Sequence, residues 1–385
     1  MKQKISRKQF LAAAGAAAFL SPLSVLSKTK ADKKIKVAII GCGSVSGMYL
    51  PHLSKSNFVE LVATCDIVEA RAKTAAEKYK IPKFFNHIDK LLAGAEFDML
   101  VNTTNMQEHG RLNKIALLAN KNIWSEKPLA NSYAEGKEVL EMAVSRGLKI
   151  WGAPAVVMSP QFSFMATAVK EGKLGKIAAA TAHYGHTGPS WSAFFYEKLG
   201  GSLPDLGVYN LASISGILGP VKAVMAMTSI VTPERTVDDK GKIKVIAEDN
   251  AMVIMDHGNG VLSHVMCGFN YFDPYGHGGK GQQRATITIL GSHGNMQLIG
   301  YDWAPSGVDL ATVNDEKGTR YVEDAGNYVW EMGASTVAES MATGKNCLIT
   351  PQHALHVLEI IEAARLSSET GQRVALKSVF KFPLV

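Results

Sequence analysis

The first 31 residues contain no acid, and the whole chain contains no Cys-x-x-Cys pair, no internal repeat and no low-complexity linker. Its longest apolar run, Leu11 to Leu26, is 16 residues, short of the roughly 20 that a spanning helix needs. Four scattered cysteines, Cys42, Cys65, Cys267 and Cys347, are too few and too far apart for a disulfide framework or a structural zinc. They read as buried free thiols, with Cys42 and Cys65 expected close together at neighbouring strand ends. His183 and His186 have no third ligand at metal-binding spacing, so no metal is expected. The basic excess is local. Of 41 basic residues against 34 acidic ones, six stand in residues 1–31, leaving 35 against 34 in the remainder. A polyanion binder carries its excess in the folded body, so nucleic acid is excluded as a partner. Hydrophobic content of 46% and charged content of 19% fit a globular protein, and 385 residues suit two domains.

Residues 1–31 read as an export signal: a basic start, the apolar run broken by Ser21-Pro22, and Thr29-Lys30-Ala31 as a small-x-Ala cleavage site. Ser6-Arg7-Lys8-Gln9-Phe10-Leu11 resembles a twin-arginine signal with Lys in the second basic place. That route exports folded proteins, often with cofactor already bound. An ordinary secretory signal or an uncleaved anchor are the alternatives. The expectation is a periplasmic or otherwise exported protein with no stable membrane insertion after processing.

From residue 32 to 153, apolar strands near 36–40, 58–65, 97–102, 122–124 and 148–151 alternate with helical patterns near 46–55, 69–79, 109–120 and 132–146. Continuous apolar strands alternating with helices predict a parallel, doubly wound α/β sheet, a Rossmann domain. From 154 to 385 the rhythm changes. A helix near 158–171, strands near 176–186, 221–231, 247–256, 260–270, 284–290 and 295–299, and helices from Leu203, near 326–343 and after Pro351 predict an α+β domain. Asp256 to Gly260 reads as a hairpin turn. The sheet is expected to be open, mixed or antiparallel, with a free face for substrate or for a partner subunit in a homo-oligomer.

Three constellations carry chemistry. Gly41-Cys42-Gly43-Ser44-Val45-Ser46-Gly47 follows a buried strand and opens a helix. Gly41 permits the tight turn and Gly43 lets backbone approach a pyrophosphate at the helix N-terminus, while Ser46 holds the third glycine place. Asp66, 19 residues past Gly47, is placed to accept from the adenosine ribose hydroxyls. Ile67-Val68 supplies no cation for a 2′-phosphate, so NAD is expected over NADP. Glu126-Lys127-Pro128 sets a charged Lys where the sixth segment of such a domain should end, at the ligand crevice. Lys127 there can hold a substrate hydroxyl or tune a proton-transferring group, with Glu126 fixing its position. A surface Lys ending a strand is the plainer alternative. Gly200-Gly201-Ser202-Leu203-Pro204-Asp205 leads into a helix on which Asp205 and Tyr209, four apart, share a face. They form a proton-transfer pair, or else a dipole-stabilising Asp and a packing Tyr. His183, Tyr184, His186, Trp191 and the loop from Tyr275 through His277 to Lys280 are candidates to line a sugar site.

Taken together, the glycine turn with Asp66, Glu126-Lys127-Pro128, Glu171-Gly172-Lys173-Leu174-Gly175, and Gly200-Gly201 leading to Asp205 and Tyr209 resemble the Gfo/Idh/MocA family. That family includes glucose–fructose oxidoreductase and inositol dehydrogenase. The resemblance implies NAD held by Gly41, Gly43, Ser44, Val45, Ser46, Asp66, Thr103, Glu126 and Lys127. It makes Lys127 the active-site lysine, Asp205 and Tyr209 the family's D-x-G-x-H pair with Tyr for His, and Lys127–Pro128 a cis bond. Two stretches depart from the pattern. Thr103-Thr104-Asn105 replaces Thr-Pro-Asn, with His109 slightly late, and Gly152 to Val157 is apolar where relatives carry Asn and Arg.

The expected activity is hydride transfer between NAD and a sugar, polyol or glycoside carbinol, with Tyr209 exchanging the hydroxyl proton, its phenol acidified by the Lys127 ammonium and supported by Asp205. A retained, tightly bound cofactor also suits a glycosidase or lyase that oxidises transiently, eliminates and reduces again. A nucleotide-binding sensor needs only the glycine turn.

Overall fold

The computed structural model describes residues 34–274 and 283–385. The export-like segment and His277 lie outside them.

The first sheet forms from β1 (Ile35–Ile40), β2 (Val59–Cys65), β3 (Lys83–Phe85), β4 (Met99–Asn102), β5 (Asn122–Ser125) and β6 (Ile150–Gly152). Their connections carry α1 (Ser46–Leu53), α2 (Glu69–Tyr79), α3 (Ile88–Gly94), α4 (His109–Leu118) and α5 (Tyr133–Ser145). The strand order is β3-β2-β1-β4-β5-β6, and every pair is parallel. This is the doubly wound order, whose direction reverses between β1 and β4 and leaves a crevice at the strands' carboxyl ends. In β1 only Lys36 is exposed, because helices cover both faces of a parallel sheet. The residues 83–94 hold two elements that the apolar pattern did not suggest. β3 is a three-residue edge strand whose side chains are exposed or half-buried, so it carries little hydrophobic signal. Lys127 follows the fifth strand in chain order, not a sixth segment.

After α6 (Pro160–Lys170), the second sheet begins with β7 (Ile177–Gly185). α7 (Val208–Leu218) precedes β8 (Ala223–Ser229), the small β9 (Glu234–Val237) and β10 (Gly241–Lys244) hairpin, β11 (Asn250–Gly258), β12 (Val261–Gly268) and β13 (Ala285–Gly291). Then come β14 (Gly294–Tyr301), β15 (Ala304–Thr312), β16 (Asp315–Tyr321), α8 (Gly333–Thr343), α9 (Pro351–Thr370) and β17 (Val374–Ala375). The order is β16-β15-β14-β13-β7-β12-β11-β8-β17. β7 and β12 pair in parallel, and the other described neighbours run antiparallel. The sheet is thus mixed, as expected, and Asn259-Gly260 turns the β11–β12 hairpin. Strand alternation sends Ala251, Val253 and Met255 into the core, while Met252 and Ile254 stay exposed on the outer face.

α7 and α9 pack on the inner side of this sheet, and the chain also returns to the first one. Gly333 lies so close to Trp124 that a Cβ there would fall 2.1 Å from the indole. Ser335 Oγ is 2.9 Å from His52 Nδ1. Leu355 and Leu358 of α9 join the core beneath the first sheet. The crevice at the strand ends therefore faces the larger sheet across a cleft tied on both sides.

Candidate active site

At the end of β1, Gly41 takes φ +88°, and a Cβ there would lie 2.6 Å from the backbone of Thr103. Thr103, buried at the end of β4, donates its hydroxyl to the Gly41 carbonyl at 2.7 Å. A Cβ on Gly43 would meet nothing within 4 Å, so this stretch of backbone is open to a ligand. Ser46 is buried and closes the turn on Gly43 O at 2.6 Å, filling the third glycine place. Asp66 Oδ2 accepts from Cys42 N at 2.7 Å and Oδ1 from Val68 N at 2.8 Å. Each oxygen retains acceptor capacity. Cys42 and Cys65 are neighbouring free thiols, as expected, with Cys42 Sγ 3.5 Å from Cys65 O. The crevice around Asp66 holds about 390 Å³ and is lined by Gly41, Gly43, Asp66, Arg71 and Thr103 among others. Arg71 reaches it from α2 and is a cation that inspection of Ile67-Val68 alone did not find. Thr104 lines this crevice and also the next cavity.

That second cavity, about 160 Å³, holds Ser44, Val45, Glu126, Lys127, Asp205 and Tyr209 together. Lys127 is no surface residue: its side chain is 11% exposed. Nζ donates to Asp205 Oδ1 and to Asp205 O, both at 2.7 Å, and stands 5.2 Å from the Tyr209 ring centroid. Buried Glu126 fixes the lysine through its backbone, accepting Lys127 N at 3.0 Å on Oε2 and the Tyr49 hydroxyl at 2.6 Å on Oε1. The Lys127–Pro128 bond is cis. His109 is buried with Nδ1 2.7 Å from Pro128 O and Nε2 3.0 Å from Thr104 O. Both partners are acceptors, and burial lowers the imidazole's proton affinity, so the neutral ring can satisfy only one of them. Asp205 and Tyr209 do converge. The residues Leu203–Gly207 form one wide π turn before α7, a device common at functional sites, and both side chains still reach the cavity. Gly201, at φ +111°, fits against Glu248, whose carboxylate would sit 2.3 Å from a Cβ.

Electrostatics correct one expectation. The Tyr209 phenol is not acidified by Lys127. Burial first, then Glu126, Asp205, Asp302 and Glu331, push it well above the usual value of 10.0. The ammonium is engaged by Asp205 and lies over the ring face, so four carboxylates and desolvation outweigh it. Tyr209 therefore keeps its proton at neutral pH.

The walls are aromatic: Tyr184, Trp191, Phe194, Phe195, Trp303 and Trp330. Tyr184 and Trp191 stand where the sequence suggested. His183 does not. It alternates with Tyr184 on β7, so it points to the opposite, open face beside Met266. His186 is buried behind the wall, packed near Tyr184 and Phe269 and accepting Gly188 N at 3.0 Å. Neither histidine lines the cavity. Trp303 and Trp330 were missed. Each is brought in by a distant element, and neither carries a local signal that would place it at the cavity. Among the described residues, no group of three or more His, Cys, Asp or Glu is placed to hold a metal, and no helix is long and apolar enough to cross a membrane.

Open backbone at Gly43, the Asp66 carboxylate lining the crevice and a crevice continuous with a Lys–Asp–Tyr cluster fit a dinucleotide with its reactive end beside Lys127. Fold and site define a dinucleotide-dependent oxidoreductase. Residues 35–153 match the family described as oxidoreductase family, NAD-binding Rossmann fold, and residues 162–297 match the GFO/IDH/MocA C-terminal domain. The chain belongs to the Gfo/Idh/MocA oxidoreductases, and its cofactor is NAD. It is 26% identical over 282 residues to trans-1,2-dihydrobenzene-1,2-diol dehydrogenase of Bos taurus, covering 71% of this chain and 76% of that one. It is 22% identical over 378 residues to D-apiose dehydrogenase of Paraburkholderia graminis, covering 92% and 93%. Its fold matches aldose-aldose oxidoreductase from Caulobacter crescentus, solved with glycerol, at TM-score 0.75 and 19% identity over 89% of this chain and 100% of that one.

Proposed function

We propose that the protein transfers hydride at a carbinol of a neutral sugar, polyol or similar cyclic alcohol. The observation that carries this is the Lys127 ammonium, 2.7 Å from Asp205 and 5.2 Å from the Tyr209 ring, in an aromatic cavity that joins the dinucleotide crevice at Thr104. NAD, when bound, supplies the hydride acceptor or donor. Gly41, Gly43, Ser44, Val45, Ser46, Asp66 and Thr103 would hold it, with Glu126 and Lys127 at its reactive end. Lys127 positions the reacting oxygen by hydrogen bonding. Asp205 holds Lys127 in place. Tyr209 Oη, protonated at rest, gives its proton to a carbonyl oxygen in reduction; in oxidation it first releases that proton to solvent and then, as phenolate, takes the one from the substrate hydroxyl. The rings of Trp191, Trp303 and Trp330 offer faces to the apolar side of a sugar ring and exclude water. The relatives that act on a cyclic diol and on apiose support this substrate class.

The test is to identify the nucleotide carried by purified protein, then follow nicotinamide absorbance with a panel of neutral sugars, polyols and aryl glycosides. Hydride exchange with a carbinol, abolished by Tyr209→Phe, is the expected result. A panel with no exchange would refute the reading. Aglycone release without net nicotinamide change would redirect it to oxidation-assisted glycoside cleavage.

Two further proposals complete this picture. The first is that residues 1–31 export the folded protein; a reporter fused to them and retained inside cells would refute it. The second is that the open face of the large sheet seats a second copy. Exposed Met227 pairs with Met252 and Met225 with Ile254 across adjacent strands, forming one apolar strip on which a like strip can lie. Light scattering that gives a monomer mass would refute the dimer.

A further inference from the structure

The turn that carries Tyr209 is clamped from outside the cleft. Asp302, 3% exposed, follows β14 directly. Its Oδ2 accepts from Asn210 Nδ2 at 3.0 Å and from Ser213 Oγ at 2.9 Å. Asn210 is the next residue after Tyr209, and Ser213 lies one helical turn further on the same face. The chain neighbours of Asp302 belong to the substrate side. Trp303 lines the cavity, and Tyr301 packs at a tilt 4.6 Å from Tyr184, whose ring is 6.2 Å from that of Tyr209. One carboxylate thus ties the end of β14, the wall residue Trp303 and the turn of α7 that carries Tyr209 into a unit.

The same cluster is under-satisfied. Asp302 Oδ1, Asn210 Oδ1 and the Tyr328 hydroxyl are buried with no hydrogen-bond partner. A helix anchor needs no charge, and an incompletely paired buried carboxylate costs more than an apolar or amide replacement. Where a fold retains such a group, function is the place to look.

We propose that Asp302 is a positioning residue for the hydride-transfer reaction: it fixes the α7 turn bearing Tyr209, and its carboxylate adds to the negative field around that phenol. This rests on the reading of Tyr209 as the proton-exchanging group. The charged and titratable groups facing that phenol are Tyr49 on α1, Lys127 and Glu126 after β5, Asp205 on the π turn, Tyr184 on β7, Asp302 after β14, and Tyr328 and Glu331 before α8. Lys127 is matched by Asp205. That leaves Glu126, Glu331 and Asp302 to set the phenol's proton affinity, and Asp302 is the one hydrogen-bonded to the phenol's own helix. Burial raises the Asp302 carboxyl to about 6, so it becomes ionised just below neutrality, and its influence on the phenol switches on there.

The test replaces Tyr209 by a fluorotyrosine, whose phenol is intrinsically more acidic, and follows its ¹⁹F resonance against pH without substrate, with and without Asp302→Asn. The amide keeps an acceptor for Asn210 and Ser213 and removes the charge. The phenol midpoint should fall by about one pH unit, and the resonance of the unsubstituted background should show an inflection near pH 6 that the variant loses. An unchanged midpoint in folded D302N overturns the proposal. If the variant does not fold, absence of the inflection near pH 6 in the background protein overturns it. The pH profile of hydride transfer in the unlabelled pair separates the two readings. A shifted phenol with an unshifted profile keeps the Asp302–Tyr209 coupling and removes Tyr209 as the proton group.

Discussion

The two halves of the cleft are made of different material. The dinucleotide crevice is backbone: a positive-φ glycine, an open glycine and one carboxylate held by two amide N–H groups. The other cavity is side chain: a Lys–Asp pair, a phenol and six aromatic rings drawn from β7, the segment after it, the β14–β15 turn and the strap before α8. Backbone sites recognise what every dinucleotide shares and tolerate few changes of shape. Side-chain sites set which alcohol enters and can be altered one ring at a time. Substitutions in the first half should therefore move NAD affinity, and those in the second should move turnover or substrate affinity with NAD binding intact.

Lys127→Ala should give the largest effect. It removes the only described cation lining the reactive cavity and strands Asp205, whose side chain is 13% exposed. The rate of hydride transfer should fall about 100- to 10,000-fold, measured by stopped flow, while calorimetry shows NAD binding within a few-fold. Stability should also drop, since a lone half-buried carboxylate is left behind. Loss of NAD binding in step with turnover would erase the division between the halves.

The glycine pair sharpens the contrast inside the crevice. Gly41→Ala meets both a disfavoured backbone region and the Thr103 carbonyl carbon at 2.6 Å, and should cost about 1–3 kcal/mol of stability or more. Gly43→Ala meets open space, so Tm should barely move, while NAD affinity falls about tenfold because the new methyl occupies the ligand's approach. Equal Tm losses in the two would show that Gly43 serves the fold and not the nucleotide.

Asp66→Ala comes next. Its carboxylate loses the expected ribose contacts, worth about 1.5–3 kcal/mol for bonds to a charged group, less what its two backbone bonds already claim. NAD affinity should weaken about tenfold and the lead over NADP should narrow, all the more because Arg71 lines the same crevice. Titration of both nucleotides against wild type and variant decides it; an unchanged ratio would give the preference to Arg71 or another residue.

What could be read without coordinates follows the same division. Gly41, Gly43, Ser46 and Asp66 sit in short segments where one strand end meets one helix start, so local sequence carries their geometry. Lys127, Asp205 and Tyr209 were legible because each lies at the end of an apolar strand or beside a glycine pair. The aromatic wall was not. Trp303 follows a strand end and Trp330 precedes a helix, and nothing local says that β14 and α8 bring them to one cavity. The edge strand β16 and its neighbour β15 were equally silent: Pro305 and Gly307 interrupt β15, and Asp315-Glu316-Lys317-Gly318 opens β16 with almost no apolar residue. The error at His183 was avoidable. Ala180, Ala182 and Tyr184 share the buried side of β7, and that parity alone sends His183 outward. The direction of the Tyr209 phenol was beyond the sequence, because Asp302 and Glu331 lie 93 and 122 residues away from it in the chain.

Trp191→Ala should produce the smallest of these effects and the most selective one. The ring is 40% exposed and meets Phe195 edge-on at 5.3 Å, so its removal opens little of the core and Tm should hold. It lines the cavity as an aromatic face, on which a bound ring would rest in the ground state and the transition state alike. An interaction equal in both states raises KM and leaves kcat alone. Loss of one aromatic contact of about 0.5–1.5 kcal/mol corresponds to roughly a two- to tenfold rise in KM, greater for ring-shaped alcohols than for open-chain polyols of the same length. Steady-state kinetics on one cyclic and one acyclic substrate read this directly. A fall in kcat with KM unchanged would move Trp191 from the binding wall to the reacting centre.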